Sequence, residues 1–459
     1  MMSAPQNWKY ESQFLYMSKL ARYLARTGRA HTHMLVPNLG DMSWVRPEPG
    51  VTLHLLPTLN PPKTNNATGY LPELGAIAQA IRDIGPDMIF VTNNRVATLI
   101  GTLLEGDGTW RNGSVQVPLI LWEGAPAGRD IVERGAESGG WMAAAGYVGA
   151  THFWTFSKST LKAAMTEMRE HFGFAAADRL QKRTSTVSAI IDREYMQSVV
   201  DWTQSKRPVF TVHTGGRWSA TKGYGIVAEA VMKLKATGEE IAMLNTGMPG
   251  TSSVYEKAVA ETGIEVVGGL TQEAMWNLVQ TLHVAVLAQD PQAVPGMPIE
   301  QMALGLPLLV KSTPHTHEVL PQYPFVWSTV DELMALMVEL KNNYQRMTAE
   351  SQQWFEANYH TFDITSVGPV IDEIAAANRG GVSVPLKFGP DDVPDIAARG
   401  TTMLFFQQSL FSRTLARREA HRIGLVEKFF SEKPAFEREP ESGGSAESTG
   451  DIEGDMPDG

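Results

Sequence analysis

Apolar residues in the first two hundred positions recur in two alternating rhythms. In "QFLYMSKLARYLARTG" they fall at Phe14, Met17, Leu20, Ala21 and Leu24. Spacings of three and four predict a helix with one apolar face, ended by Gly28. "HTHMLVP" and "VTLHLLP" predict short strands, "ELGAIAQAIRDIG" a helix and "PDMIFVT" a strand, and "VPLILWEG" and "HFWTFS" add two more strands. A second alternating block runs from Pro208 to about Asn378. Its predicted strands are "PVFTVHT", "EIAMLNTG", "IEVVGGL", "HVAVLAQ" and "PLLVKS", with helices at "GIVAEAVMKLKATG", "SVYEKAVAETG", "QEAMWNLVQTL" and "PIEQMALG". Such alternation predicts parallel βαβ units. The polar stretch "DWTQSKRP" between the blocks reads as a linker, so two Rossmann-like halves face each other across a cleft.

The last eighty residues follow a different pattern. "GPDDVPD" reads as a loop and "TTMLFFQQSLFSRTLARREAHRIGLVEKFF" as one amphipathic helix. Leu404, Phe411 and Leu415 share its apolar face, and Arg413, Arg417 and Arg418 lie off it. Packing back on the body of the protein is the preferred reading of that face over contact with an anionic membrane or docking of an acceptor partner. From Glu432 onward the chain is poor in aromatic and branched residues, which predicts disorder. The expected organisation is therefore 1–200, 207–378, an extension over 379–431 and an acidic tail over 432–459.

Composition narrows the class. A chain of 459 residues is too long for one hydrophobic core. It has no cysteine, which excludes disulfides, thiolate metal sites and cysteine nucleophiles and fits a reducing compartment. The N-terminus "MMSAPQNWKYESQ" has no basic region followed by an apolar run, so a cytoplasmic location is expected. The uncharged run from Ser138 to Ser157 is long enough to span a bilayer, but its glycines and polar ending predict a helix, a turn and a buried strand. Of the net charge of −11, −7 falls between Glu432 and Gly459, where nine acids meet two bases. The body carries only −4, so the acidic balance says little about what the folded part binds.

Two stretches carry candidate chemistry. In "HTGGRWSATKGYGIVAEAVMKL" a strand leads through glycines to Arg217, then Lys222 and Gly223, and then a helix. Two cations before a helix N-terminus oppose its dipole, so they mark either an anion site between them or a solvated surface pair. In "HVAVLAQDPQAVPGMPIEQMALGLPLLV" a strand and a Pro/Gly-rich loop precede a short helix opened by Pro298, with Glu300 in its first turn.

These stretches resemble the large retaining glycosyltransferases of the GT-B fold, which use nucleotide sugars. The family's phosphate motif G-R-x4-K-G is matched by Gly216, Arg217, Lys222 and Gly223. Its E-x7-E donor motif is matched at the second acid by Glu300, whereas Gln292 stands at the first, with Asp290 nearby. Its "NGVD" element appears as "SAIID", keeping Asp192. The resemblance spans roughly residues 10–375 and is strongest in the second block.

That resemblance implies that Arg217 and Lys222 hold the donor diphosphate and stabilise the leaving phosphate, so that no metal or other cofactor is needed. It implies that Glu300 accepts hydrogen bonds from ribose, that Gly296 and Met297 offer backbone N–H groups to the donor, and that Gly268, Gly269 and Leu270 run beside the base. Gln292 would meet the sugar. The first block lacks the family's glycine-rich loop and its histidine. Glu123 stands near the place of that histidine as an acceptor-facing carboxylate, and Asn93, Asn94 and His213 are further cleft candidates. The expected partners are a nucleotide sugar such as a UDP or GDP sugar, and an unidentified acceptor: protein, glycan, lipid or modified DNA. The variant motif and unusual tail point to a phage-encoded or otherwise divergent member. The alternatives are an inactive sugar-nucleotide-binding scaffold and a sugar-nucleotide epimerase.

Overall fold

The computed structural model describes residues 12–38, 49–57, 74–92, 96–98, 100–101, 111–112, 115–123, 146–147, 149–188, 191–216, 222–247, 259–260, 262–288 and 296–379. All of these fall within one compact unit, Met1–Gly389. The arginine-rich segment and the acidic tail lie outside the described residues, as do Asn93, Asn94, Arg217, Asp290 and Gln292.

Helix α1 (Ser12–Arg26) opens the first half, followed by the parallel pair β1 (Thr32–Pro37) and β2 (Val51–Leu56). Next come α2 (Leu74–Ile84), β3 (Ile89–Val91) and the small hairpin β4 (Arg111–Asn112) and β5 (Val115–Gln116). Strands β6 (Leu119–Glu123), β7 (His152–Thr155) and β8 (Thr184–Thr186) join β3 in a parallel sheet ordered β3-β6-β7-β8. Between β7 and β8 runs α3 (Lys158–Gln181), which periodicity does not reveal because Gly173 is non-helical inside it and shifts the buried face. Helix α4 (Arg193–Val199) follows, N-capped by Asp192.

The second half is one six-stranded parallel sheet. Its elements in order are β9 (Phe210–Gly215), α5 (Tyr224–Ala236), β10 (Ile241–Thr246), β11 (Glu265–Val266) and α6 (Gln272–Val279). Then come β12 (Val284–Leu287), α7 (Gly296–Ala303), β13 (Leu308–Lys311), α8 (Pro314–Val319) and β14 (Val326–Trp327). Helices α9 (Val330–Asn342) and α10 (Tyr344–Asn358) complete it. The strand order β11-β10-β9-β12-β13-β14 is that of a dinucleotide-binding half, reversing direction between β9 and β12. Strands β9 and β12 are buried almost throughout, as central parallel strands covered by helices on both faces must be.

The chain then returns to the first half. Ile191 and Asp363 form a parallel bridge where the outgoing and returning segments cross. Helix α11 (Val367–Arg379) packs Val367 and Ile374 against Trp122, Trp154 and Phe156, so the last described helix closes the core of the first half. Trp122 and Trp154, from paired positions on β6 and β7, meet edge to face with centroids 6.1 Å apart.

Candidate functional site

The site assembles at the carboxyl ends of β9 and β12, beside the point where the sheet reverses. Its first wall is the turn after β9. Gly216 has φ +109° and Gly223 has φ +66°, a region that favours glycine. Gly223 also touches the end of β12: a Cβ there would stand 2.9 Å from the Ala288 carbonyl carbon and closer still to its oxygen. A Cβ on Gly215 would overlap the Met297 sulfur, and one on Gly247 the Gly216 carbonyl. Glycines thus let the segments after β9, β10 and β12 approach one another, and the end of β9 meet α7. Lys222 is half-buried in this turn, one residue before the Gly223 cap of α5.

The second wall is α7, which carries Gly296, Met297 and Glu300. The Glu300 side chain is only 6% exposed and accepts three donors. Trp276 Nε1 lies 3.0 Å from Oε2, Gln272 Nε2 lies 3.3 Å from Oε1, and the Lys19 ammonium pairs with Oε1. Trp276 and Gln272 lie on α6, immediately after the turn of Gly268, Gly269 and Leu270, where Gly269 has φ +80°. The predicted base loop and the predicted ribose ligand are therefore neighbours through α6. The strand expected across "IEVVGGL" ends at Val266, which leaves those two glycines in the turn.

His213 does not line an open surface. It is fully buried in β9, with Gln301 Nε2 at 2.6 Å from Nδ1 and Thr246 Oγ1 at 2.7 Å from Nε2. Gln301 donates to Nδ1, so Nε2–H donates to Thr246 and the neutral ring ties β10 to α7. Burial lowers its pKa to about 3, against a smaller opposing effect of the Gln301 hydrogen bond. Burial likewise takes His152 and His283 to about 4, each helped by a nearby cation, Arg183 or Lys206. An unfolded imidazole takes up its proton near pH 6.5, well above these folded values. The unfolded chain therefore binds more protons between about pH 6.5 and 4, and stability falls as pH drops through that window. We expect the urea midpoint to decline from pH 7 to pH 4.5, and His213→Gln to flatten that slope; an unchanged slope would remove His213 from the acid response.

Helix α1 supplies the part that sequence reading missed. Its apolar stripe packs into the first half, with Leu20 and Leu24 buried. A second face, formed by Tyr16, Lys19, Arg22 and Arg26, lies on the second half and on α4. The Arg22 guanidinium sits 3.4 Å from the Tyr195 ring centroid, and Arg26 Nη2 lies 2.9 Å from Asp192 Oδ1. Tyr16 Oη closes on Gly296, where an added Cβ would overlap it, and burial and then the Glu300 charge raise its pKa. Aromatic and cationic residues recur there at helical spacing, a pattern that does not say whether they meet water or another part of the chain.

A second cross-half contact joins α8 to α3. Glu318 accepts the backbone N–H groups of Lys158 and Ser159, the latter at 3.0 Å, and Ser159 Oγ lies 2.8 Å from His315 Nδ1. A carboxylate at the α3 N-terminus satisfies donors that the helix cannot satisfy itself. Glu123 ends β6 at the carboxyl edge of the first sheet, paired in register with Thr155.

Two parallel α/β halves, joined by a crossing pair of segments and closed by a returning helix, define the GT-B glycosyltransferase fold. No protein-family model and no curated protein sequence matches the chain. Solved structures do. Sucrose-phosphate synthase from Thermosynechococcus elongatus is similar with a TM-score of 0.59 at 13% identity, over 80% of this chain and 94% of that one. A glycosyltransferase from Rickettsia africae gives a TM-score of 0.54 at 14% identity, over 80% and 95%. WaaG, a glycosyltransferase involved in lipopolysaccharide biosynthesis, gives 0.50 at 11%, over 75% and 92%. Among the described residues no helix is long and apolar enough to cross a membrane.

Proposed function

We propose that the protein is a glycosyltransferase that moves a sugar from a nucleotide diphosphate donor to an acceptor hydroxyl, with retention of configuration. The observation that carries this reading is the convergence of two motifs about seventy residues apart at one reversal point of the sheet. Gly216, Lys222 and Gly223 follow β9, Gly296 and Glu300 follow β12, and Gly223 abuts the end of β12. Ligands of open α/β sheets bind outside the strand carboxyl ends at such a point. The similar solved structures named as glycosyltransferases and sugar-phosphate synthases support the same reading.

In this reading Arg217 and Lys222 receive the diphosphate and stabilise the charge that grows on the leaving phosphate, without a metal. Glu300 faces the ribose, the turn of Gly268, Gly269 and Leu270 faces the base, and Gln292 faces the sugar. The first half, with Glu123, receives the acceptor. Parting and closing of the halves admits the donor and then excludes water from it.

The test is calorimetric titration of UDP, GDP and ADP in a chelator. One of them is expected to bind, and Arg217→Ala to weaken that binding by ~1.5–3 kcal/mol, the range for a hydrogen bond to a charged group. Gln292→Ala is expected to spare nucleotide affinity and to lower turnover of the labelled nucleotide sugar. Equal affinity in wild type, Arg217→Ala and Lys222→Ala would remove the diphosphate site. Binding without turnover on any acceptor extract would leave a sugar-nucleotide-binding scaffold.

A further inference from the structure

We infer that α1 is an internal occupant of the donor site, which a nucleotide must displace in order to bind. The inference rests on the donor-site reading and adds a self-closed state to it. Two features of that site are already taken, and both by the same helix. The Glu300 carboxylate, read as the acceptor for ribose hydroxyls, accepts the Lys19 ammonium. Gly296, whose backbone is read as meeting the ligand's oxygens, is covered by Tyr16 Oη, which an added Cβ there would overlap. Tyr16 and Lys19 are one helical turn apart, so one face of α1 places an ammonium on Glu300 and a phenol oxygen on Gly296.

Burial makes the two occupancies exclusive. The side chains of Lys19 and Glu300 are 4% and 6% exposed, which leaves no surface for a ribose. Trp276 and Gln272, the other donors to Glu300, belong to the second half, as Glu300 does. Lys19 alone among these donors belongs to the first, so it is the group that leaves when the halves part. Gly296 is crowded in the same way: a Cβ there would overlap Tyr16 Oη. The contact is also extended. Arg22 on Tyr195 and Arg26 on Asp192 continue the same face of α1 by two more turns, which holds the helix down as a unit.

The ammonium also fits this role better than a neutral donor would. A buried carboxylate without a counter-charge is costly, so Lys19 keeps Glu300 acceptable in the closed state. When ribose hydroxyls replace the ammonium, Lys19 regains water as α1 lifts. Apparent affinity is then the intrinsic affinity reduced by the fraction of molecules with α1 lifted.

The experiment uses the full chain with UDP, GDP and ADP as probes, titrated into wild type, Tyr16→Phe and Lys19→Met. Tyr16→Phe keeps the ring packed on Trp122 and Phe156 and removes only the oxygen, so it is the variant least exposed to misfolding. It is expected to bind roughly threefold to tenfold tighter than wild type, the equivalent of one lost competing polar contact. Lys19→Met is expected to bind tighter still, and its melting curve checks that it remains folded. In wild type, saturating nucleotide is expected to speed amide exchange over Ser12–Arg26 rather than slow it. Weaker binding in both variants would make Tyr16 and Lys19 donor ligands and overturn the inference. Unchanged affinity with unchanged exchange over α1 would also overturn it, with the donor site left standing. Failure of all three nucleotides to bind any of the three proteins would overturn the donor-site reading itself and the inference with it.

Discussion

Glu300→Ala is expected to destabilise the protein by about 3–5 kcal/mol, the cost of stranding one member of a buried ion pair. The carboxylate is the shared acceptor of Lys19, Trp276 and Gln272, and its removal leaves a buried ammonium and a buried indole N–H unpaired. Parting of the halves would let Lys19 reach water, so part of the loss should appear as faster amide exchange in α1 rather than as global unfolding. Nucleotide affinity is expected to fall as well. Urea denaturation of Glu300→Ala, Lys19→Met and the double variant separates these effects. Neighbours in one network couple by about 0.5–3 kcal/mol, so the double variant should be more stable than the sum of its parts. Strict additivity would mean that Lys19 and Glu300 do not depend on each other.

Gly223→Ala is the second large effect, and its cause is steric. Its φ of +66° costs an L-residue about 1–2 kcal/mol, and the added methyl would press on the Ala288 carbonyl. A total of about 2–4 kcal/mol is expected, together with loss of nucleotide binding, because the turn and the end of β12 must separate. Gly28→Ala is the matched control. It has a similar φ of +63° but nothing within 4 Å of the added carbon, so it should show only the conformational part. Equal losses in the two variants, with nucleotide affinity intact in both, would mean that close approach is not what Gly223 provides.

Both predictions concern contacts between segments far apart in the chain, and this separates what was legible in the sequence from what was not. Alternating strands and helices of the second half were readable because each central strand is buried on both faces and each helix on one, which leaves a simple pattern. The turns at Gly223 and Gly269 and the short helix that carries Glu300 were readable because they are local features: a strand end, a positive φ, a helix start. Helix α3 was not, because Gly173 breaks its phase.

The sequence by itself determined the class of fold and the alternation of strands and helices in the second half. Only the tertiary structure decided where α1 lies. A stripe of Tyr16, Lys19, Arg22 and Arg26 on a helix surface has the same local pattern whether it faces water or another half of the protein. Burial of Lys19 is tolerable only because Glu300, 281 positions away, meets it there. No property of either residue's neighbours in the chain encodes that pairing, since the charge that compensates each is supplied by the fold.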